Sequence, residues 1–128
     1  MPKGNVLVID DEELMCDLIE QVLEMKGYSV TTFTNSLEAQ EEIKLKKDYD
    51  IIIADIRMQK LSGIDLLRTA NAQNMNYQFI LVTGFYSLLS PDILKTLNPY
   101  GFIKKPFDIN TLIETVDQAY KKKLDSDN

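Results

Sequence analysis

Several residue types are absent or scarce in this 128-residue chain, and each shortage excludes a class of function. The chain contains no histidine, which excludes histidine metal ligands, Ser-His-Asp catalysis and phosphorylation of a histidine in this chain. Its single cysteine, Cys16, excludes an internal disulfide framework and a multi-cysteine zinc site. We expect Cys16 either to pack as a small buried apolar residue or to lie on its helix without a role.

Basic charge and long hydrophobic runs are also scarce. The chain has 14 Lys and Arg against 20 Asp and Glu, and this net charge of -6 disfavours binding to the phosphates of nucleic acids. Its apolar runs are far shorter than the roughly 20 residues needed to span a bilayer. Residues 1–5 lack the apolar stretch of a secretory signal. We therefore expect a cytoplasmic protein whose domain binds neither nucleic acid nor membrane.

The remaining composition, 45% hydrophobic and 27% charged, is typical of one compact domain. A chain of this length can bury roughly two thirds of the surface that its unfolded form exposes, so it can form a stable core without disulfides or a structural metal ion. We assign residues 1–121 to this domain. The polar segment 122–128 is interpreted as a C-terminal tail or a truncated linker, with fraying from Lys121 onward.

Short apolar runs alternate with longer segments of helical periodicity along the chain. The runs at 5–9, 51–54 and 79–82 have the length of strands and, apart from Asn5, are apolar at every position, as strands covered on both faces require. Residues 28–33 alternate apolar and polar side chains, and residues 101–104 are less apolar than the first three runs. We interpret these two segments as edge strands.

The helical segments carry start and stop signals. The first helix is expected to end at Gly27 and to bury the apolar stripe formed by Leu14, Leu18, Val22 and Met25. The second helix is predicted to begin at Asn35 and to run to about Lys47. The third is predicted to begin near Gly63, the fourth at Ser90 with Pro91, and the fifth at Asp108. Five strands alternating with five helices predict a three-layer α/β domain around an open parallel sheet.

Polar residues stand where the predicted strands end. Asp10 and Asp11 follow the first strand, Asp55 the third, Thr83 the fourth and Lys105 the fifth. Open parallel sheets bind ligands beyond the carboxyl ends of their strands. We therefore expect these side chains to converge on one crevice.

Three carboxylates in one crevice repel each other unless they bind protons or a cation bridges them. Oxygen ligands with positions left for water suit Mg²⁺, and a lysine with a hydroxyl opposite suits the charged oxygens of a phosphoryl group. Asp55 lies at the end of the central apolar strand. We predict that it is the nucleophile that forms an aspartyl phosphate.

At these residues the sequence resembles the receiver domain of two-component response regulators, over about residues 4–121. Each shared motif is weak alone, but together, in order and each after a predicted strand, they are specific. They are Asp10-Asp11, Asp55-Ile56-Arg57-Met58 with Gly63, Thr83-Gly84, and Lys105-Pro106-Phe107. The resemblance implies a doubly wound, flavodoxin-like (βα)5 domain with strand order 2-1-3-4-5, which agrees with the edge pattern at 28–33.

The resemblance also implies a phosphorelay role and a metal site. Asp55 would accept a phosphoryl group from the phosphohistidine of a sensor histidine kinase or a phosphotransfer protein. Mg²⁺ would be held by Asp10, Asp11, Asp55 and the backbone carbonyl of Arg57. The protein would catalyse only its own phosphorylation and dephosphorylation.

Further roles implied by the resemblance concern the switch. Thr83 and Lys105 would contact the phosphoryl oxygens, and Phe102 matches the family's switch aromatic. Phosphorylation would change the face formed by helix four, strand five and helix five, which would meet a downstream output protein or domain. A phosphorylation-dependent dimer through this face is a further expectation.

Two positions depart from the family pattern. Gln59 stands where the family usually has proline, which predicts a less rigid loop after the third strand. Arg57 places a long cation two residues past Asp55, where it could influence hydrolysis of the phosphoaspartate.

Other interpretations remain open for these motifs. Asp10 and Asp11, taken alone, could simply cap a helix. An enzyme with an aspartyl-phosphate intermediate would typically have a second Asp where Arg57 stands. A structural interaction domain could keep the fold without being phosphorylated.

Overall fold

The structure is a computed structural model that describes residues 3–45, 48–74, 76–84 and 90–126. Strands and helices alternate in these residues, as the sequence pattern predicts. Their bounds are β1 Asn5–Ile9, α1 Glu13–Met25, β2 Ser29–Phe33, α2 Ser36–Lys44, β3 Ile51–Asp55, α3 Gly63–Ala72, β4 Gln78–Thr83, α4 Pro91–Leu97, β5 Gly101–Lys104 and α5 Ile109–Ser126.

The five strands form one parallel sheet in the order β2-β1-β3-β4-β5. The predicted flavodoxin-like architecture is therefore confirmed, with β2 and β5 at the edges. The order reverses between β1 and β3, where Val8 pairs with Ile53, so a crevice opens beyond the carboxyl ends of these two strands. Asp10 and Asp55 stand at that reversal point.

Both faces of the sheet are covered by helices. Successive side chains of a strand point to opposite faces, so each apolar strand contributes to two separate cores. On one face Val6 and Val8 pack with α1 and α5, and on the other Leu7 and Ile9 pack with α2 and α3. This packing explains why β1 and β3 are apolar at consecutive positions.

The helix ends follow the predicted signals. Asn35 accepts hydrogen bonds from the backbone at the start of α2, and Ser90 does so at the start of α4. Gly27 follows α1 with φ 96°, a conformation that favours glycine. Helix α2 ends at Lys44, earlier than expected. The predicted end near Lys47 lies outside the described residues.

The predicted buried stripe of α1 was wrong for Leu14, Leu18 and Met25, which are exposed, whereas Val22 is partly buried against the core. Leu14 and Met25 are 83% and 86% exposed, whereas the face turned to the core contains Cys16, Ile19 and Leu23. Helix α1 carries two apolar stripes with helical spacing, and only packing on the sheet selects between them. Of the two alternatives for Cys16, the buried one is confirmed. The thiol donates to the Asp10 carbonyl over 3.3 Å, and burial raises its pKa to about 11.

The expectation of a frayed tail from Lys121 was wrong for residues 121–126. Helix α5 continues to Ser126, and Lys123 is only 8% exposed. Its Nζ lies 3.2 Å from Oδ1 of Asp50, just before β3. This ion pair joins residues 122–126 to the domain. None of the helices described is long and apolar enough to cross a membrane.

Candidate functional site

Three carboxylates meet at the carboxyl ends of β1 and β3. Asp10 follows β1 directly, and Asp55 is the last residue of β3. Both are buried, whereas Asp11 is exposed. One oxygen from each of Asp10, Asp11 and Asp55 lies within 4.8 Å of the others. Oxygen donors at this spacing could hold a hard divalent cation, with the exposed side open to water.

Lys105, just after β5, reaches across to two of these carboxylates. Its Nζ lies 2.9 Å from Oδ2 of Asp55 and 3.1 Å from Oδ2 of Asp10. Glu12 is more distant, with its Oε1 at 4.0 Å. The lysine therefore supplies the positive charge that balances two buried acids.

Burial and charge pairing oppose each other in this cluster. Burial raises the pKa of Asp10, although the Glu12 backbone N–H and the Lys105 ammonium favour its ionised form. Burial would lower the pKa of Lys105, but its hydrogen bonds to Asp55 and Asp10 outweigh this effect and raise it. Lys105 is therefore positively charged at neutral pH.

Thr83 stands beside this cluster at the end of β4. It is almost fully buried and pairs in register with Lys104 of β5. The backbone N–H of Lys105 donates to the Thr83 carbonyl over 2.8 Å, so the two residues are adjacent at this edge of the sheet. The sheet thus brings together the ends of β1, β3, β4 and β5, as predicted.

Two of the predicted site residues are less central. Arg57 is exposed on the loop after β3 and lines an open cavity together with Asp11. Phe102 lies on β5 and is 41% exposed, so in this structure its ring is not packed in the core.

The loop after β3 is anchored on both sides of Gln59. The Gln59 N–H donates to Oδ2 of Asp11 over 3.3 Å, and the Gln59 carbonyl accepts from Oγ of Ser36 over 2.8 Å. The same Oγ accepts from the Leu61 N–H over 3.0 Å. Whether this loop is less rigid than one with proline stays a prediction. Ser36 was missed as a site residue, and a polar side chain just after the Asn35 cap was the available signal.

Gly63 allows α3 to begin close to Asp55. A Cβ at this position would lie 2.5 Å from the Asp55 carbonyl oxygen, which is closer than real Cβ contacts. The Gly63 N–H donates to the Ile56 carbonyl over 3.1 Å. The glycine eight positions after the aspartate is therefore required by this close approach.

Comparison with known proteins identifies the family of this chain. The family model described as "Response regulator receiver domain" matches residues 6–117. The chain belongs to this family. Response regulator SaeR of Staphylococcus aureus (strain USA300) is 31% identical over 109 residues, which are 85% of this chain and 47% of SaeR. This receiver domain thus spans about half the length of the curated relatives it matches.

Solved receiver domains share the fold. A receiver domain protein (CheY-like) from Methanospirillum hungatei JF-1 superposes with a TM-score of 0.86 at 22% identity, covering 96% of this chain and 98% of the other. A receiver domain protein from Clostridium thermocellum gives 0.84 at 28% identity, covering 94% and 96%. Full-length FixJ from B. japonicum gives 0.84 at 27% identity, with 96% of this chain aligned to 60% of FixJ.

Proposed function

We propose that this receiver domain is a Mg²⁺-dependent phosphoacceptor switch in a two-component phosphorelay and that Asp55 is the residue phosphorylated. The observation that carries this proposal is the position of the Asp55 carboxylate. It lies 2.9 Å from the Lys105 ammonium and within 4.8 Å of two further carboxylates. Such a site combines a nucleophile, a phosphate-binding cation and a metal-binding set.

The donor set fits a magnesium ion. Asp10, Asp11, Asp55 and the backbone carbonyl of Arg57 would hold it, since all offer the hard oxygen atoms that Mg²⁺ prefers. When bound, the ion would supply positive charge that offsets the negative charge of the phosphoryl oxygens.

The chain's own residues would carry out the transfer. A carboxylate oxygen of Asp55 attacks the phosphorus of the donor phosphohistidine, the new O–P bond forms and the N–P bond breaks. The imidazole leaves with the electron pair and takes a proton from solvent. The Lys105 ammonium, already beside Asp55, pairs with the phosphoryl oxygens, and the Thr83 hydroxyl donates to one of them.

The switch would act by shifting an existing equilibrium between two conformations. Thr83 moves toward the phosphoryl group, and the exposed ring of Phe102 turns toward the core. The surface of α4, β5 and α5 then changes for an output protein or domain, with a phosphorylation-dependent dimer as one form of output. A partner that binds this surface more tightly in the phosphorylated state completes the signal.

The same proposal covers the partners and the setting. The phosphoryl donor is a sensor histidine kinase or a phosphotransfer protein, and the domain acts in the cytoplasm without binding nucleic acid or membrane itself. It catalyses only its own phosphorylation and dephosphorylation, because Arg57 stands where an aspartyl-phosphate hydrolase would have its second Asp.

Labelling with acetyl phosphate or phosphoramidate in the presence of Mg²⁺ tests the proposal. Intact-mass measurement should show one added phosphoryl group in the wild type and in Asp17→Asn, a control on the exposed face of α1, but none in Asp55→Asn. Labelling that persists in Asp55→Asn would contradict the assignment. Turnover of an external phosphate ester would support the hydrolase, and no reaction would support an interaction domain.

A further inference from the structure

The three carboxylates of the site are held to different degrees. Asp10 and Asp55 are buried and share the Lys105 ammonium, whereas Asp11 is exposed at the mouth of the crevice. An exposed carboxylate loses rotamer freedom when it binds a metal, and that loss weakens binding. A contact that already restrains Asp11 would reduce this loss.

The structure contains such a contact in the loop after β3. The backbone N–H of Gln59 donates to Oδ2 of Asp11 over 3.3 Å. A carboxylate has about four acceptor positions on its two oxygens, so this hydrogen bond leaves acceptor positions available to a cation. Asp11 can therefore be oriented and still act as a ligand.

The donating amide is itself anchored by α2. Oγ of Ser36, the first residue of that helix, donates to the Gln59 carbonyl over 2.8 Å and accepts from the Leu61 N–H over 3.0 Å. Ser36 is buried, so losing these hydrogen bonds would leave a buried hydroxyl unsatisfied, which is unfavourable. The restraint on Asp11 thus extends from the start of α2 through residue 59.

We infer that the backbone amide of Gln59 is a positioning group that holds Asp11 toward Asp10 and Asp55 and so strengthens Mg²⁺ binding. This inference rests on the proposed function, because it assumes that Asp11 is a ligand of the ion. Proline has no backbone N–H and could not make this hydrogen bond. Glutamine in place of the family's usual proline at residue 59 therefore supplies a hydrogen-bond donor to Asp11.

A matched pair of variants isolates the amide. Gln59→Ala keeps the N–H and loses the side chain, whereas Gln59→Pro loses the N–H. The dissociation constant for Mg²⁺ should be unchanged in Gln59→Ala and about three- to tenfold higher in Gln59→Pro, the size expected for one lost hydrogen bond. Isothermal titration calorimetry with MgCl₂ measures it directly. Thermal unfolding without metal, recorded in parallel, separates a change in affinity from a change in overall stability.

Ser36→Ala provides a second, independent test, because it removes the anchor and leaves residue 59 intact. It should weaken Mg²⁺ binding in the same direction, and it decides the matter if Gln59→Pro does not fold. Equal Mg²⁺ affinity in Gln59→Pro and wild type, or in Ser36→Ala when the proline variant is unfolded, overturns this inference and leaves the proposed function intact. Equal weakening in Gln59→Ala and Gln59→Pro also overturns it. No Mg²⁺ binding by the wild type overturns both.

Discussion

Lys105 is the residue on which the charge balance of the acidic cluster depends. Its ammonium contacts two buried carboxylates, Asp10 and Asp55, from a position that is itself mostly buried. Burial alone would disfavour all three charges, and their mutual contacts compensate for part of that cost. Removing the lysine would leave two buried acids without a cation.

We expect Lys105→Met to lower the free energy of unfolding by about 2–4 kcal/mol without metal, the cost of breaking a largely buried ion pair. Urea unfolding in EDTA measures the change. Lys121→Met is the control, since Lys121 lies exposed on α5 and its replacement should change stability by less than about 0.5 kcal/mol. A Lys105 variant as stable as this control would show that the charges are solvated rather than paired.

At the scale of elements, the two ends of α5 are held by different interactions. The Thr111 N–H donates to Oδ1 of Asp108 over 2.7 Å at the start of the helix. Near its other end, Lys123 pairs with Asp50. The first contact caps the helix, and the second fastens it to the start of β3.

The Asp108 cap makes part of the stability depend on pH. Its hydrogen bonds to the backbone and side chain of Thr111 hold the pKa of Asp108 below the ordinary 3.8. Its contribution is therefore present above this value and is lost as pH falls through the lower folded-state pKa. Asp108→Ala should unfold at lower urea concentration than the wild type at about pH 7, with a smaller difference at about pH 2.

Asp108→Asn is the matched control for this pH dependence. Asparagine caps helices about as well as aspartate but has no charge to titrate. It should match the wild type near neutral pH and show no loss of the cap in acid. An Asp108→Ala deficit that stays constant across this range would contradict the titration argument.

The far end of α5 gives a prediction about the domain boundary. Deleting residues 122–128 removes Lys123 and leaves Asp50 without this cation at the base of the sheet. We expect the free energy of unfolding to fall by about 2 kcal/mol or more. Deleting only residues 127–128 should leave the free energy of unfolding unchanged. Equal urea midpoints for the two truncations would support the predicted domain boundary at residue 121.

For the whole molecule, the proposed binding of Mg²⁺ would be linked to folding. An ion that binds only the folded state stabilises it by about 2.7 kcal/mol at a hundredfold excess over its dissociation constant. Without metal, the carboxylates of Asp10, Asp11 and Asp55 repel each other. The order of stability of the wild type and a charge-reduced variant should therefore depend on Mg²⁺.

We expect Asp55→Asn to be more stable than the wild type without metal, by about 1 kcal/mol, because it removes one of the crowded charges. Saturating Mg²⁺ should reverse this order, because the wild type gains more from binding. Urea unfolding of both proteins in EDTA and in Mg²⁺ measures all four values. A variant that is clearly less stable without metal would mean that the Asp55–Lys105 pairing outweighs the repulsion.

Much of the architecture could be predicted because its signals are local. Apolar runs covered on both faces identify buried parallel strands, and Asn35, Ser90 and Gly27 mark helix ends through hydrogen bonds and backbone geometry within a few residues. The site could be predicted for a related reason. Residues that end parallel strands must meet at one edge of the sheet, and Asp55 and Lys105 do.

The order of elements, the edge strand at 28–33 and the acids and lysine of the candidate site could be read from the amino-acid sequence, because each depends on short-range pattern or on strand direction. Three features required the folded chain: which stripe of α1 is buried, how far α5 extends, and the connection from α2 to Asp11 through Ser36 and Gln59. These features depend on partners distant in the chain. A side chain or backbone amide acquires them only when the packed sheet brings those partners within hydrogen-bond distance.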